Sequence, residues 1–142
     1  MYQAKALQWT DTISVAEFSR LRTAVDFQPL TSEQMEQMLQ LASFVVCAVW
    51  EDTTVGVARV LTDYVTDAYL TDVIIHPDFQ GKGIGKQMID RVLEVLKEKA
   101  PSGVRFTCNL YANPGKEPFY ERCGFERLPT EEFGTGMIIK LS

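Results

Sequence analysis

The stretch from Asp72 to Gly85, DVIIHPDFQGKGIG, constrains the fold of this chain more than any other. It begins as an apolar, β-branched run that reads as a buried strand. His76-Pro77 ends that run, because proline holds its predecessor extended. A glycine-rich turn follows from Gln80 to Gly85. Then Ile84, Met88, Ile89, Val92, Leu93, Leu96 and Ala100 recur at helical spacing, which predicts an amphipathic helix to about Lys99. A strand, a glycine turn and a helix start, in that order, make a place for an anion. The first helical N–H groups have no intrahelical acceptor, and the macrodipole puts partial positive charge there. Glycines let a phosphate come close to the backbone. Lys82 and Lys86 add charge nearby. The segment fits neither the Walker A loop G-x-x-x-x-G-K-[ST] nor the dinucleotide fingerprint G-x-G-x-x-G. The pattern present is Q-x-x-G-x-G, on Gln80, Gly83 and Gly85.

Around this segment the chain alternates strand and helix signals. Ala6 to Trp9 reads as a short strand. Val15, Phe18, Leu21 and Val25 mark a first helix, which ends before Pro29. Thr31 and Gln34 form a capping-box pattern that opens a second helix, with Met35, Met38, Leu39 and Ala42 on its apolar face. Phe44–Trp50 and Val55–Leu61 read as a hairpin through Glu51–Thr54, and Tyr69–Ile75 as a third long strand. Beyond the amphipathic helix come a strand at Val104–Tyr111 and a short helix at Glu117–Arg122, with Gly124 as its C-terminal cap. Final strands are expected at Phe125–Leu128 and Met137–Leu141. This order predicts an α/β (α+β) fold: a mixed, mostly antiparallel sheet of about six to seven strands flanked by about four helices. The 142 residues suit one domain, 1–142.

The formal net charge of −5 argues against a nucleic-acid partner, which needs clustered lysine and arginine. Cys47, Cys108 and Cys123 match no zinc or redox spacing, and no metal site is expected. Buried thiols imply a reducing compartment. Met1-Tyr2-Gln3-Ala4-Lys5 lacks the apolar core of a signal peptide, and no apolar run approaches the ~20 residues of a membrane span. A cytoplasmic protein with no membrane partner is expected.

The segment Leu110–Phe125, LYANPGKEPFYERCGF, supplies a second motif. Together the two resemble the GNAT superfamily of N-acetyltransferases. Gln80, Gly83 and Gly85 match its [QR]-x-x-G-x-[GA] loop. Asn113, Phe119, Tyr120, Gly124 and Phe125 match its N-x-x-A-x-x-F-Y-x-x-x-G-F pattern, with Lys116 in place of the usual alanine. The resemblance covers Phe44 to Leu141 and implies a GNAT-type fold using acetyl-CoA as co-substrate. It further implies that the backbone of Gln80, Gly81, Lys82, Gly83, Ile84, Gly85 and Lys86 holds the CoA diphosphate. Val73 and Ile75, on the preceding strand, would meet the pantetheine and thioester, with Asn113, Phe119 and Tyr120 on the other side.

Transfer to an amine needs a neutral nitrogen, a polarised carbonyl and a protonated leaving sulfur. A primary amine of pKa ~10.4 must first lose a proton. Asp72 is the candidate acceptor of that proton, with Asp67 and Glu117 as weaker ones; alternatively Asp72 caps a backbone group or pairs with Arg59. Strand alternation sets Asp72 on the face opposite Thr71, Val73 and Ile75. By the resemblance, Tyr120 is the general acid, its phenol close in pKa to an alkyl thiol. His76, the only histidine, has no triad partner and reads as structural. Phe27 and Tyr64 are candidate acceptor-binding residues, Phe27 because it falls in the loop between the first two helices. The expected function is acetyl transfer to a small-molecule primary amine. The alternatives are acetylation of a protein N-terminus or lysine, and a non-catalytic acyl-CoA-binding domain. Homodimers are common among similar proteins.

Overall fold

The structure, a computed structural model, describes residues 6–142. The N-terminal pentapeptide read above lies outside the described residues. Five strands form one sheet: β1 (Leu7–Thr10), β2 (Phe44–Trp50), β3 (Thr53–Thr62), β4 (Asp67–Ile75) and β5 (Thr107–Asn109). Their spatial order is their chain order. Each neighbouring pair is antiparallel except β4–β5, which is parallel. Four α-helices occur among the described residues: α1 (Val15–Ala24), α2 (Ser32–Leu41), α3 (Ile84–Lys99) and α4 (Glu117–Arg122). The mixed, mostly antiparallel sheet with four helices agrees with the expectation, with fewer strands than the six to seven foreseen.

The two faces of the sheet have separate cores. Phe18 and Leu21 of α1 and Met35 of α2 pack with Val45, Cys47, Val57 and Ile74. Ile84, the first residue of α3, packs with Ala48 and Val55. Cys47 and Ala48 are neighbours, so alternation turns them to opposite faces. α3 buries Met88, Ile89, Val92 and Leu96 along the same stripe, each such side chain stabilising by ~1.5–3 kcal/mol. The β2–β3 turn is tighter than expected. It is the pair Glu51-Asp52 alone, both left-handed at φ 46° and 67°, as a two-residue hairpin turn requires. Thr31 and Gln34 form the expected capping box on α2.

The compact units divide between Asn109 and Leu110, and all five strands precede that break. β5 is three residues long instead of eight, because its ladder with β4 covers only Asp67–Tyr69. The strands expected at Phe125–Leu128 and Met137–Leu141 do not form. Phe125 is committed to the end of α4, and Thr130 draws the next stretch into a turn by accepting from the N–H groups of Glu132 and Phe133. Met137–Leu141 has strand-forming residues but no ladder partner among the described residues, and Met137 is 94% exposed. Propensity alone does not make a strand without a neighbour to pack and bond against.

Candidate active site

The glycine turn keeps the start of α3 bare. After β4 a 3-10 turn runs from Pro77 to Phe79. His76 closes it: its Nδ1 accepts from the Asp78 N–H at 3.1 Å, so the only histidine is a cap. Gln80 Nε2 donates to the Ile75 carbonyl at 2.9 Å and ties the turn back to the strand it left. Gly81 and Gly83 are left-handed, at φ 77° and 82°, a conformation costing other residues ~1–2 kcal/mol. Gly83 is the N-cap of α3, and no side chain caps it. A Cβ on Gly81 or Gly83 would meet nothing within 4 Å, so the glycines serve backbone conformation and an open approach. The first intrahelical bond is Gln87 N–H to Gly83 carbonyl at 3.2 Å. The N–H groups of Ile84, Gly85 and Lys86 precede it and lack intrahelical acceptors. Lys82 is exposed, whereas Lys86 pairs with Asp90 at 2.9 Å one turn along.

Beside this turn, one edge of β4 is open. Among the described residues no strand pairs with β4 past Tyr69 on the β5 side. The His76 N–H donates to the Val55 carbonyl at 2.8 Å, and Ile75 stands opposite Gly56. Antiparallel pairs alternate between bonded and non-bonded, so the N–H and C=O of Ile75 point away from β3, to the open edge. Gln80 takes that carbonyl, and the N–H remains available. Gly56 makes the close pairing possible: a Cβ there would fall 2.8 Å from Ile75 Cδ1.

A bulge interrupts β4 just upstream of Val73. Ile74 pairs with Val57 and Thr71 with Arg59, which leaves Asp72 and Val73 opposite Ala58 alone. Asp72 takes the left-handed conformation, φ 48°. The extra residue breaks strict alternation. Thr71, opposite Arg59, shares the face to which Asp72 also turns, contrary to the expected opposition.

Asp72 is the anion of a nearly buried cluster. Arg22 Nη1 donates to its Oδ1 at 2.8 Å, and Arg59 Nε to its Oδ2 at 2.7 Å. The expected pairing with Arg59 is present, joined by a second arginine from α1. With both oxygens held by guanidinium donors, taking a proton from an amine would mean giving up an ion pair. Asp72 thus holds Arg22 and Arg59 together, as the pairing expected as the alternative to the base role would have it. Sequence reasoning missed Arg22. The signal was available: Arg22 lies four residues after Phe18, on the buried stripe of α1.

Phe27 belongs to the same cluster. α1 ends in a left-handed Asp26, φ 59°. The Asp26 N–H donates to Thr23 carbonyl at 3.1 Å and the Phe27 N–H to Arg22 carbonyl at 3.0 Å, the paired bonds of a Schellman ending. That geometry lays the Phe27 ring under the Arg22 guanidinium, 5.4 Å from its centroid. Tyr64 is not brought here. It stacks on Phe44 and lies beneath Lys99, the last residue of α3. The glycine turn opens that helix, and sixteen residues span ~24 Å. Tyr64 therefore lies at the far end of α3 from the glycine turn, and the structure does not bring it to the Asp72 cluster. Asp67 accepts from Thr66 Oγ1, and Glu117 from the Gly115 N–H, so both weaker carboxylate candidates hold turns.

In the second unit, Asn113-Pro114-Gly115-Lys116 forms a turn closed by Lys116 N–H to Asn113 carbonyl at 2.9 Å, with Gly115 left-handed. α4 then ends in another Schellman motif. Gly124 N–H donates to Glu121 carbonyl at 3.0 Å, and Phe125 N–H to Tyr120 carbonyl at 3.1 Å. Gly124 has φ 102°, and Phe125 meets the Tyr120 ring edge-on, centroids 5.9 Å apart. The Y-x-x-x-G-F spacing is thus a helix ending that clamps Tyr120. Phe119 packs against its other side at 5.0 Å. Burial pushes the Tyr120 phenol up to about 12, with Cys123 adding to the effect. Burial likewise pushes the Cys47 thiol up to about 12 and Cys108 to about 11, which keeps both in the unreactive thiol form. Among the described residues, no group of acidic, histidine or cysteine side chains could hold a metal ion, and no helix is long and apolar enough to cross a membrane.

Comparison with known proteins agrees with this geometry. The chain is 29% identical over 124 residues to the uncharacterized N-acetyltransferase ycf52 of Porphyra purpurea, covering 84% of this chain and 69% of that one. A probable acetyltransferase from meticillin-resistant Staphylococcus aureus superposes with a TM-score of 0.80 at 26% identity, covering 94% of this chain and 98% of the other. An aminoglycoside acetyltransferase from a soil metagenome, solved in complex with sisomicin, shares the fold at TM-score 0.68 and 21% identity, covering 98% and 99%. The acetyltransferase (GNAT) domain family matches residues 14–139, and the chain belongs to the GNAT superfamily of N-acetyltransferases.

Proposed function

We propose that the protein transfers an acetyl group from acetyl-CoA to a primary amine of a small molecule. One observation carries the reading above the others: a helix start left bare by Gly83, beside a β4 edge where the Ile75 N–H has no strand partner. The residues suit the co-substrate. The N–H groups of Ile84, Gly85 and Lys86 would hold the diphosphate, with Gly81 and Gly83 giving clearance and Lys82 charge. Gln80 would keep the turn closed. The backbone of Val73 and Ile75 would receive the pantetheine arm and aim an N–H at the thioester carbonyl. Asn113, Phe119 and Tyr120 are assigned through the family motif.

Acetyl-CoA supplies an activated acetyl thioester. The neutral amine nitrogen forms a C–N bond to the acetyl carbon and then gives up a proton, leaving the amide. The C–S bond breaks, and sulfur leaves with the electron pair and takes up a proton. Tyr120 is the proposed donor to that sulfur. A phenol near 12 stays protonated at neutral pH, so it is always ready to donate. It also stands roughly three pKa units above a thiol's ~8.5, so transfer is not the balanced exchange an ordinary phenol would give. Tyr120 therefore hydrogen-bonds the developing thiolate first and passes its proton to the sulfur only as the nitrogen's proton becomes available to replace it. Cys47, Cys108 and Cys123, none of them in a disulfide, fit a reducing compartment such as the cytoplasm.

A thiol-release assay with acetyl-CoA and a panel of small amines and peptides tests the reading. Turnover with small amines, reduced in Tyr120→Phe, is expected. CoA binding with turnover on peptides alone would overturn the small-molecule assignment, and no turnover on any acceptor would overturn the proposal as a whole.

A further inference from the structure

The cluster around Asp72 holds two guanidinium cations and one carboxylate. All three side chains are nearly buried, at 9% exposure for Arg22, 12% for Arg59 and 8% for Asp72. No other carboxylate among the described residues pairs with either arginine. Both terminal nitrogens of Arg22 are engaged: Nη1 bonds Asp72, Nη2 bonds the Gln28 carbonyl at 3.1 Å, and its face lies against Phe18 and Phe27. Those of Arg59 are not. Only its Nε is engaged, by Asp72, while its two terminal amino groups have no acceptor on the described chain. Among the described residues no fully buried side-chain nitrogen or oxygen lacks a partner, so those terminal groups keep some contact with solvent. A nearly buried surplus cation is costly unless an anion completes it. The free end of Arg59 is the planar fork that matches a carboxylate or phosphate. Arg59 stands on β3 opposite Thr71, next to the bulge that leads to the open β4 edge at Val73 and Ile75.

We propose that Arg59 binds an anionic group carried by the acceptor, so that the preferred acceptor is an amine bearing a carboxylate or phosphate. Asp72 orients the guanidinium through Nε and leaves its terminal fork facing the ligand. This inference rests on the acetyl-transfer reading above.

The test compares acceptors matched in chain length: an alkylamine, the ω-amino carboxylate and the ω-amino phosphonate, each with two to six methylenes. In the parent, kcat/KM for an anionic acceptor should exceed that of its uncharged partner by about tenfold or more. The carboxylate and phosphonate arms identify the preferred anion. Arg59→Lys keeps a cation for Asp72 but loses the fork, and Arg59→Gln loses both; circular dichroism checks that each folds. In Arg59→Lys the anionic preference should shrink at least fivefold, mainly through KM. Equal kcat/KM for charged and uncharged acceptors in the parent would overturn this inference while leaving acetyl transfer intact. Should no acceptor turn over, acetyl transfer falls, and calorimetry with the amino carboxylates and phosphonates decides the anion site by itself. Binding that Arg59→Lys weakens supports the site; no binding to the parent overturns it.

Discussion

Replacing Asp72 with asparagine tests the cluster at its centre. Asp72 sits at φ 48°, a region asparagine tolerates about as well as aspartate, so the change removes charge with little added strain. It leaves Arg22 and Arg59 facing a neutral amide, with side chains 9% and 12% exposed. Removing one partner of a buried pair costs ~3–5 kcal/mol. Arg22 keeps the Gln28 carbonyl, and Arg59 keeps a solvent edge, so the lower end, ~3 kcal/mol, is expected. With a urea m-value of ~2 kcal/mol per molar, the unfolding midpoint should fall by ~1.5 M. Asp72→Ala should cost a further ~1–2 kcal/mol from left-handed strain, and the difference between the variants isolates that term. Equilibrium urea unfolding at pH 7 makes the measurement. An asparagine variant within ~1 kcal/mol of the parent would refute the reasoning, since the cluster would then not need its anion. Arg22→Met should cost less in the Asp72→Asn background than alone, because it then removes an unpaired charge. The acid limb of the pH–rate profile should stay in place in Asp72→Asn. A limb that vanishes while stability holds would return Asp72 to the role of proton acceptor.

Gly83→Val should weaken CoA binding and cost ~1–2 kcal/mol or more of stability, because a β-branched residue is forced to φ 82°; unchanged affinity by calorimetry would count against the glycine turn as the diphosphate site. Tyr120→Phe should lower kcat more than it changes the affinity for acetyl-CoA, and equal rates in variant and parent would remove the phenol from the chemistry. Since burial raises Tyr120 from 10.0 to about 12, it is protonated in folded and unfolded chains alike below pH 10. Between 10 and 12 the unfolded chain ionises first, so its contribution to stability is lost as pH rises, and Tyr120 imposes no fall in kcat up to pH 10. A fall with an apparent pKa below 10 that disappears in Tyr120→Phe would contradict this. Gly124→Ala should destabilise by ~1–2 kcal/mol through left-handed strain at the end of α4, read as a lower thermal midpoint.

Local signals in the sequence carried the fold wherever one segment decides its own shape. The capping box of α2, the apolar stripe of α3 and the limits of α4 all follow from neighbours a few residues apart. The glycine turn is legible for the same reason. What escaped depends on partners distant in the chain. Arg22 and Asp72 are fifty positions apart, and nothing local marks their pairing. The β4 bulge reads as plain alternation until its register against β3 is known. Tyr64 looks like any loop aromatic until Lys99 is found above it. Met137–Leu141 has the residues of a strand, but a ladder needs a second party that no propensity supplies.

The odd residue in β4 is a phase shifter. Delete any one residue between Leu70 and Ile74, and β3 and β4 could zip into an even ladder. The carboxylate that two arginines fold around would then lose its place on the α1 side. Straightening that strand, which ordinary rules of sheet design would reward, would erase the charge arrangement beside it. Regularity and recognition compete at this single position.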